Sequence, residues 1–220
     1  MTKRKAWTWG VALVFIVMCA NVAGAQLIVY DNGAPNSDEH ANLTQGWIEA
    51  DNFSFNTPES VLLTDVHMWT YELAAPTVTK ISWYIFEDSY SDNNAMGWLQ
   101  HMPGDEFASG VATNIVKTPY GSDGDEFAYS FDLDTPVELM GLPYYWLGLS
   151  FTVTGGIIYW KGTDECTLPL NEVSLGRIPD DANFDYWGLY GLNSDLAFQL
   201  TSPIPEPATM LLLGTGLAGC

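Results

Sequence analysis

Basic residues are scarce in this 220-residue chain: seven Lys and Arg stand against 27 Asp and Glu, for a formal net charge of −20. A surface of that sign repels phosphate backbones and anionic lipid heads, whose binding relies on clustered Lys and Arg that release counterions. Nucleic acid is therefore excluded as a partner. Cysteine is rarer still. Cys19, Cys166 and Cys220 permit no disulfide framework beyond a single Cys166–Cys220 bridge. His40, His67 and His101 are scattered singly, so the set of about four Cys and His ligands that a structural zinc site needs is missing. Cys166 lies beside Asp164 and Glu165, whose charges disfavour its thiolate and with it a nucleophilic role. Gly-x-Ser-x-Gly, the Gly-rich phosphate loop ending in Lys-Ser/Thr and His-Glu-x-x-His do not occur, which closes the familiar routes of acyl transfer, phosphoryl transfer and zinc proteolysis.

Apolar material is plentiful. Hydrophobic residues make up 47% and aromatics 14%, enough to build the core of one globular domain. No stretch sustains a 3.6-residue period for three turns, and short β-rich runs alternate with turn clusters. Ile81–Phe86 is apolar on both faces, as a central strand is. Phe127, Tyr129, Phe131 and Leu133 alternate with smaller or polar residues, the pattern of a strand with one buried face. Leu196, Phe198 and Leu200 repeat it. Further strands are expected at 27–30, 47–55, 61–70, 111–117, 144–151, 157–161 and 184–190. Asp31-Asn32-Gly33, Asn93-Asn94, Pro103-Gly104-Asp105, Gly121–Gly124 and Gly155-Gly156 supply the turns between them. About ten strands are too many for one open sheet, so the fold expected is all-β: a two-sheet antiparallel sandwich, jelly-roll-like.

The two ends differ from this domain. Lys3-Arg4-Lys5, the apolar run from Val11 to Ala20 and the small residues Ala23 and Ala25 have the order of a secretory signal helix, cleaved by signal peptidase after Ala25. Residues 1–25 are thus a signal peptide, 26–202 the sandwich domain and 203–220 a tail. Loss of Lys3, Arg4 and Lys5 leaves four basic residues against 27 acids, or −23. In the tail, the prolines around Pro205-Glu206-Pro207 break regular structure ahead of the apolar run Ala208–Cys220.

Pro205-Glu206-Pro207 followed by Ala-Thr-Met-Leu-Leu-Leu-Gly resembles the PEP-CTERM sorting signal of Gram-negative, exopolysaccharide-producing bacteria. The resemblance implies processing by exosortase, a membrane transpeptidase, transient membrane association through the tail, and delivery to the cell surface or the extracellular matrix. Such tails run to about 20 apolar residues, the span of a bilayer, and end in basic residues. A continuation beyond Cys220 is therefore expected. The domain is loosely similar to the globular part of a group of PEP-CTERM proteins through Tyr30-Asp31-Asn32-Gly33, Glu49–Ser54, and Phe131-Asp132-Leu133 running to Tyr145-Trp146-Leu147. That group carries no activity to transfer.

Three chemistries remain for the domain. Trp and Tyr rings stack on sugars while polar neighbours bind hydroxyls, and Trp160, Tyr186, Trp187 and Tyr190 lie close in sequence, with Trp98 among loop residues. These are the candidate exopolysaccharide-binding residues, whereas Trp83 and Trp146, deep in strong strands, are expected in the core. Calcium takes six to eight oxygens, and Asp123, Asp125 and Glu126 form the densest acidic turn; Asp88 with Asp92 and Asp180 with Asp181 are sparser. Glycan hydrolysis needs two carboxylates flanking a cleft. Its nearest groupings, Glu49-Ala50-Asp51 and Asp123–Glu126, lack a completed set on one strand. The expectation is a non-enzymatic surface or matrix domain that needs no cofactor, with carbohydrate binding as the alternative.

Overall fold

Period-two alternation governs the chain, and the computed structural model, which describes residues 26–36, 40–44, 46–55, 57–90, 101–141, 143–163, 174–177, 187 and 195–204, is built of strands alone. In chain order they are β1 (Gln26–Asp31), β2 (His40–Asn42), β3 (Ile48–Phe53), β4 (Val61–Leu73), β5 (Thr77–Tyr90), β6 (His101–Val111), β7 (Thr113–Pro119), β8 (Glu126–Leu139), β9 (Tyr145–Thr154), β10 (Ile157–Thr163), β11 (Leu175–Arg177), β12 (Asp195–Leu196) and β13 (Phe198–Pro203). They form two antiparallel sheets packed as a sandwich, as the sequence predicts. The expected signal helix at 1–25 and the tail beyond Ile204 lie outside the described residues, among which no helix is long and apolar enough to cross a membrane.

Sheet I is organised around β4. One edge of β4 carries β8, with β7 beyond it. Along the other edge β13 pairs with Asp65–Met68 and β10 with Thr70–Leu73. The β12–β13 run slots beside β10 at Gly162–Thr163 before it reaches β4, and at the junction the Ala197 N–H donates to the Lys161 carbonyl at 2.9 Å. β1 pairs with β13, and β2 with β10. Sheet II has the order β11-β3-β9-β5-β6. Leu43 links the sheets: its N–H donates to Ile158 on β10 and its carbonyl accepts from Phe151 on β9.

The core between the sheets is set by the inward residues of each strand. Val66 and Met68 on β4, Tyr129, Phe131 and Leu133 on β8, Ile81, Trp83 and Ile85 on β5, and Phe198 and Leu200 on β13 all join one cluster. Each large apolar side chain taken fully out of water there contributes about 1.5–3 kcal/mol.

One expectation is corrected. Pro103-Gly104-Asp105 is not a turn but part of β6, the edge strand beside β5. Its pairing shifts register between Ile85 and Phe86 and again between Phe86 and Asp88. A bulged edge strand leaves backbone groups facing water, so Pro is tolerated and the apolar alternation that marks a central strand is lost. The expected strand at 184–190 lies outside the described residues apart from Trp187.

Candidate functional site

The segments Tyr30–Gly33 and Glu49–Ser54 meet at a buried polar seam between the sheets. Gly33 adopts φ 91°, and its N–H donates to Asp31 Oδ1 at 3.0 Å, a turn that points Asn32 inward. Asn32 Nδ2 then donates to Asp51 Oδ2 at 3.1 Å and to the Leu196 carbonyl at 2.9 Å. The Leu196 N–H also donates to Asp51 Oδ2, at 2.5 Å, and the Asn52 N–H to Oδ1 at 2.7 Å. Tyr30 Oη donates to Asn32 Oδ1 at 2.8 Å. Burial, joined by the charge of Asp195, raises the pKa of Asp51, while the two backbone N–H groups oppose the rise. Asp51 of sheet II thus holds β1 and β12 of sheet I. Two residues away, Glu49 is buried and its carboxyl is pushed up to about 8 by desolvation. Gly176 of β11 lies against it so closely that a Cβ there would sit 2.6 Å from Oε1.

The outer face of sheet I carries an aromatic band. Alternation along β4 buries Met68, Thr70 and Glu72 and turns His67, Trp69 and Tyr71 outward, where they are only half-buried. Tyr71 pairs across the ladder with Tyr159 of β10, ring centroids 6.3 Å apart. Trp69 meets Tyr120, just after β7, edge to face at 6.1 Å. Polar residues border the rings: Glu126 opposite Tyr71, Ser130 and Gln199 opposite His67, and Asn42 opposite Tyr159. Lys161 pairs with Glu126, so the band carries a neutralised ion pair. Burial lowers the His67 pKa against the pull of Asp65, which keeps its imidazole uncharged. Flat rings with polar neighbours on a rigid sheet form a surface suited to stacking against sugar rings.

The outer face of sheet II is built from similar residues but is covered. Ile48, Ala50, Phe86, Trp146 and Leu175 form a second buried cluster, with Tyr84, Met102 and Trp187 packed on it. Trp187 meets Phe86 edge to face at 5.1 Å, and the Arg177 guanidinium lies 4.8 Å from its ring. Gly148 makes room for this layer, since a Cβ there would be 2.7 Å from the Phe86 ring. Trp146 donates its indole N–H to Asp88 Oδ1 at 2.9 Å, and Asp88 Oδ2 lies 2.6 Å from His101 Nδ1.

The residues singled out from sequence are dispersed. Trp160 is fully buried in the main core, edge-on to Phe198 at 5.7 Å, and its indole N–H donates to the Ala197 carbonyl at 2.9 Å. It faces inward because Trp160 alternates with Tyr159, so Tyr159, not Trp160, reaches the surface. Trp187 is half-buried against sheet II, whereas Tyr186, Tyr190 and Trp98 lie outside the described residues. Trp83 and Trp146 are buried, as expected. Asp123, Asp125 and Glu126 share the β7–β8 turn, but each is engaged separately. Asp123 accepts from Ser122 Oγ at 2.8 Å, the Asp125 carbonyl accepts from the Glu72 N–H at 2.8 Å, and Glu126 holds Lys161. Among the described residues no three His, Cys, Asp or Glu side chains converge to hold a metal ion. Trp69, Tyr71 and Tyr159 escaped the sequence reading, although Trp69-Thr70-Tyr71 is an aromatic alternation that puts both rings on one face of a strand.

Both ends of the domain leave from one place. Gln26, the first residue of β1, pairs with Pro203, the last of β13. From Pro203 onward, residues 203–220 match the family model of the PEP-CTERM protein-sorting motif. The chain carries a PEP-CTERM tail. That motif marks an exported protein processed by exosortase, and the matched span includes Pro205, Glu206 and Pro207. No curated protein matches the chain.

Proposed function

We propose that this chain is a non-enzymatic surface or extracellular-matrix protein of a Gram-negative bacterium, delivered by signal peptidase and exosortase. The observation that carries the reading is the PEP-CTERM motif rooted at the end of β13, beside the N-terminal strand. This arrangement suits a domain that folds on the far side of the membrane and stays tethered through its tail until processing. The buried carboxylates fit this reading as well. Asp51 accepts three hydrogen bonds, two of which, from Asn32 and Leu196, tie the sheets together, which is a structural role. The test is the mass of the mature protein in an exosortase-bearing host. Replacing Pro205-Glu206-Pro207 by three alanines is expected to leave the tail uncut, and a mature mass reduced by tail removal in that variant overturns the reading.

A second reading, a carbohydrate-binding module for exopolysaccharide, is favoured by the half-exposed band of Trp69, Tyr71, Tyr159 and Tyr120. Its acidic setting suits neutral rather than uronate-rich chains, because like charges repel. Calorimetry of the protein against the host's exopolysaccharide, with and without calcium, distinguishes the two readings: saturable heat lost in Trp69→Ala supports the module, and absence of heat leaves the structural role.

A further inference from the structure

We infer that the end of sheet I from which the chain termini emerge is a membrane-resting surface, whose partner is a neutral lipid bilayer. Register places the start of β1, the end of β13, the start of β4 and the end of β8 together, since Gln26 pairs with Pro203, Thr201 with Asp65, and Val61 with Leu139. Five aliphatic residues are exposed at this end: Leu27 at 52%, Ile28 at 51%, Leu62 at 41%, Met140 at 61% and Ile204 at 45%. Isolated exposed apolar residues are ordinary, but a group of them gathered at one end signals a partner.

The identity of that partner follows from chain length. Four residue steps separate Ile204, where the ordered strand has just ended, from Ala208, where the apolar tail begins. Fully extended, four steps reach about 14 Å. The headgroup layer is itself about 5–7 Å thick on each side of a bilayer. A tail inserted in the membrane therefore holds this end of the domain against the interface, where half-exposed Leu, Ile and Met side chains gain by leaving water. Glu59 and Glu138 flank the same end and are exposed, and the mature domain is strongly acidic, so the surface selects against anionic lipid. The inference rests on the tail being the segment that enters the membrane.

The test uses the chain without its signal peptide but with its tail intact, with vesicles of phosphatidylcholine alone and of phosphatidylcholine mixed with phosphatidylglycerol. Two triple variants are compared, each replacing exposed side chains: L27S/M140S/I204S at this end, and L73S/I115S/V116S elsewhere on the domain, with urea midpoints confirming that both fold. The expected result is about a tenfold loss of partition onto the neutral vesicles for the first variant, none for the second, and weaker binding of wild type as phosphatidylglycerol is added. Equal partition of wild type and L27S/M140S/I204S overturns the proposal while leaving the tail as anchor. Absence of wild-type partition overturns the tail reading with it. Sedimentation without lipid supplies the remaining discriminator: a wild-type dimer that L27S/M140S/I204S converts to monomer makes this end an interface between copies, and overturns the bilayer assignment.

Discussion

The two outer faces of the sandwich spend similar residues differently. On sheet II, Phe86 and Trp146 are buried under Trp187, Arg177 and Leu175; on sheet I, Trp69, Tyr71 and Tyr159 stay half in water. Strand alternation sets the direction of each ring but not its fate. What decides the fate is whether further side chains pack over the ring. On sheet II, β11 extends the sheet beside β3 and the Trp187 ring packs on its outer face, β3 is buried at every residue, and the outer residues form a second core. Sheet I has the long strands β4 and β8, whose outer residues meet each other across the ladder. An aromatic residue buried in the second cluster is therefore a stability element, and a half-buried one on sheet I keeps part of its ring within reach of a ligand.

The largest expected effect tests the covered face. Trp146→Ala empties a fully buried site and strands Asp88 without its indole donor, so a loss of about 3–5 kcal/mol is expected. Urea midpoints at matched m-value measure it. If Trp146→Ala costs no more than the same truncation at Trp69, the distinction between the faces collapses.

A second measurement tests how dry the inward face of β3 is kept. Glu49 faces inward with its carboxyl pushed from an ordinary 4.5 to about 8 by burial. The folded state keeps a proton that the unfolded chain releases, so stability is greatest at acid pH, falls as pH rises from about 4.5 to 8, and is level above that. Glu49→Gln keeps the shape without the charge. It is expected to flatten that window and to be more stable than wild type at pH 8 by roughly 4 kcal/mol. An unchanged pH profile means that water reaches the Glu49 carboxyl.

Period-two alternation carried most of the fold: Ile81–Phe86 is central between β6 and β9, and β8 buries Tyr129, Phe131 and Leu133 on one side. It failed where edges relax the pattern. β6 has a Pro and two register shifts, and β2 and β11 have three residues each, too few to show a period. The site was less legible. Trp160 and Trp187 are near each other in sequence, but alternation along β10 sends the first into the main core while the second packs on sheet II. The open band draws on β4, β10 and the end of β7, segments far apart in the chain, so only the sheet order brings it together. The tail was legible throughout, because a linear motif needs no fold to be read.

The smallest expected stability change belongs to the open face, and it bears most directly on function. Trp69 packs against Tyr120 alone among the described rings, and Ala128 opposite it is small, so its truncation opens no enclosed cavity. Trp69→Ala should cost under about 1.5 kcal/mol, chiefly the edge-to-face contact and some partial burial. If the band stacks on sugar, the same change removes a platform ring and weakens glycan binding by about tenfold, while Trp187→Ala, on the covered face, lowers stability and leaves affinity unchanged. Isothermal calorimetry and urea melts on the two variants separate these outcomes. A loss of affinity that follows stability in both variants would assign the rings of sheet I to packing, as on sheet II. Affinity lost at Trp69 alone would show that the half-buried rings of sheet I serve recognition.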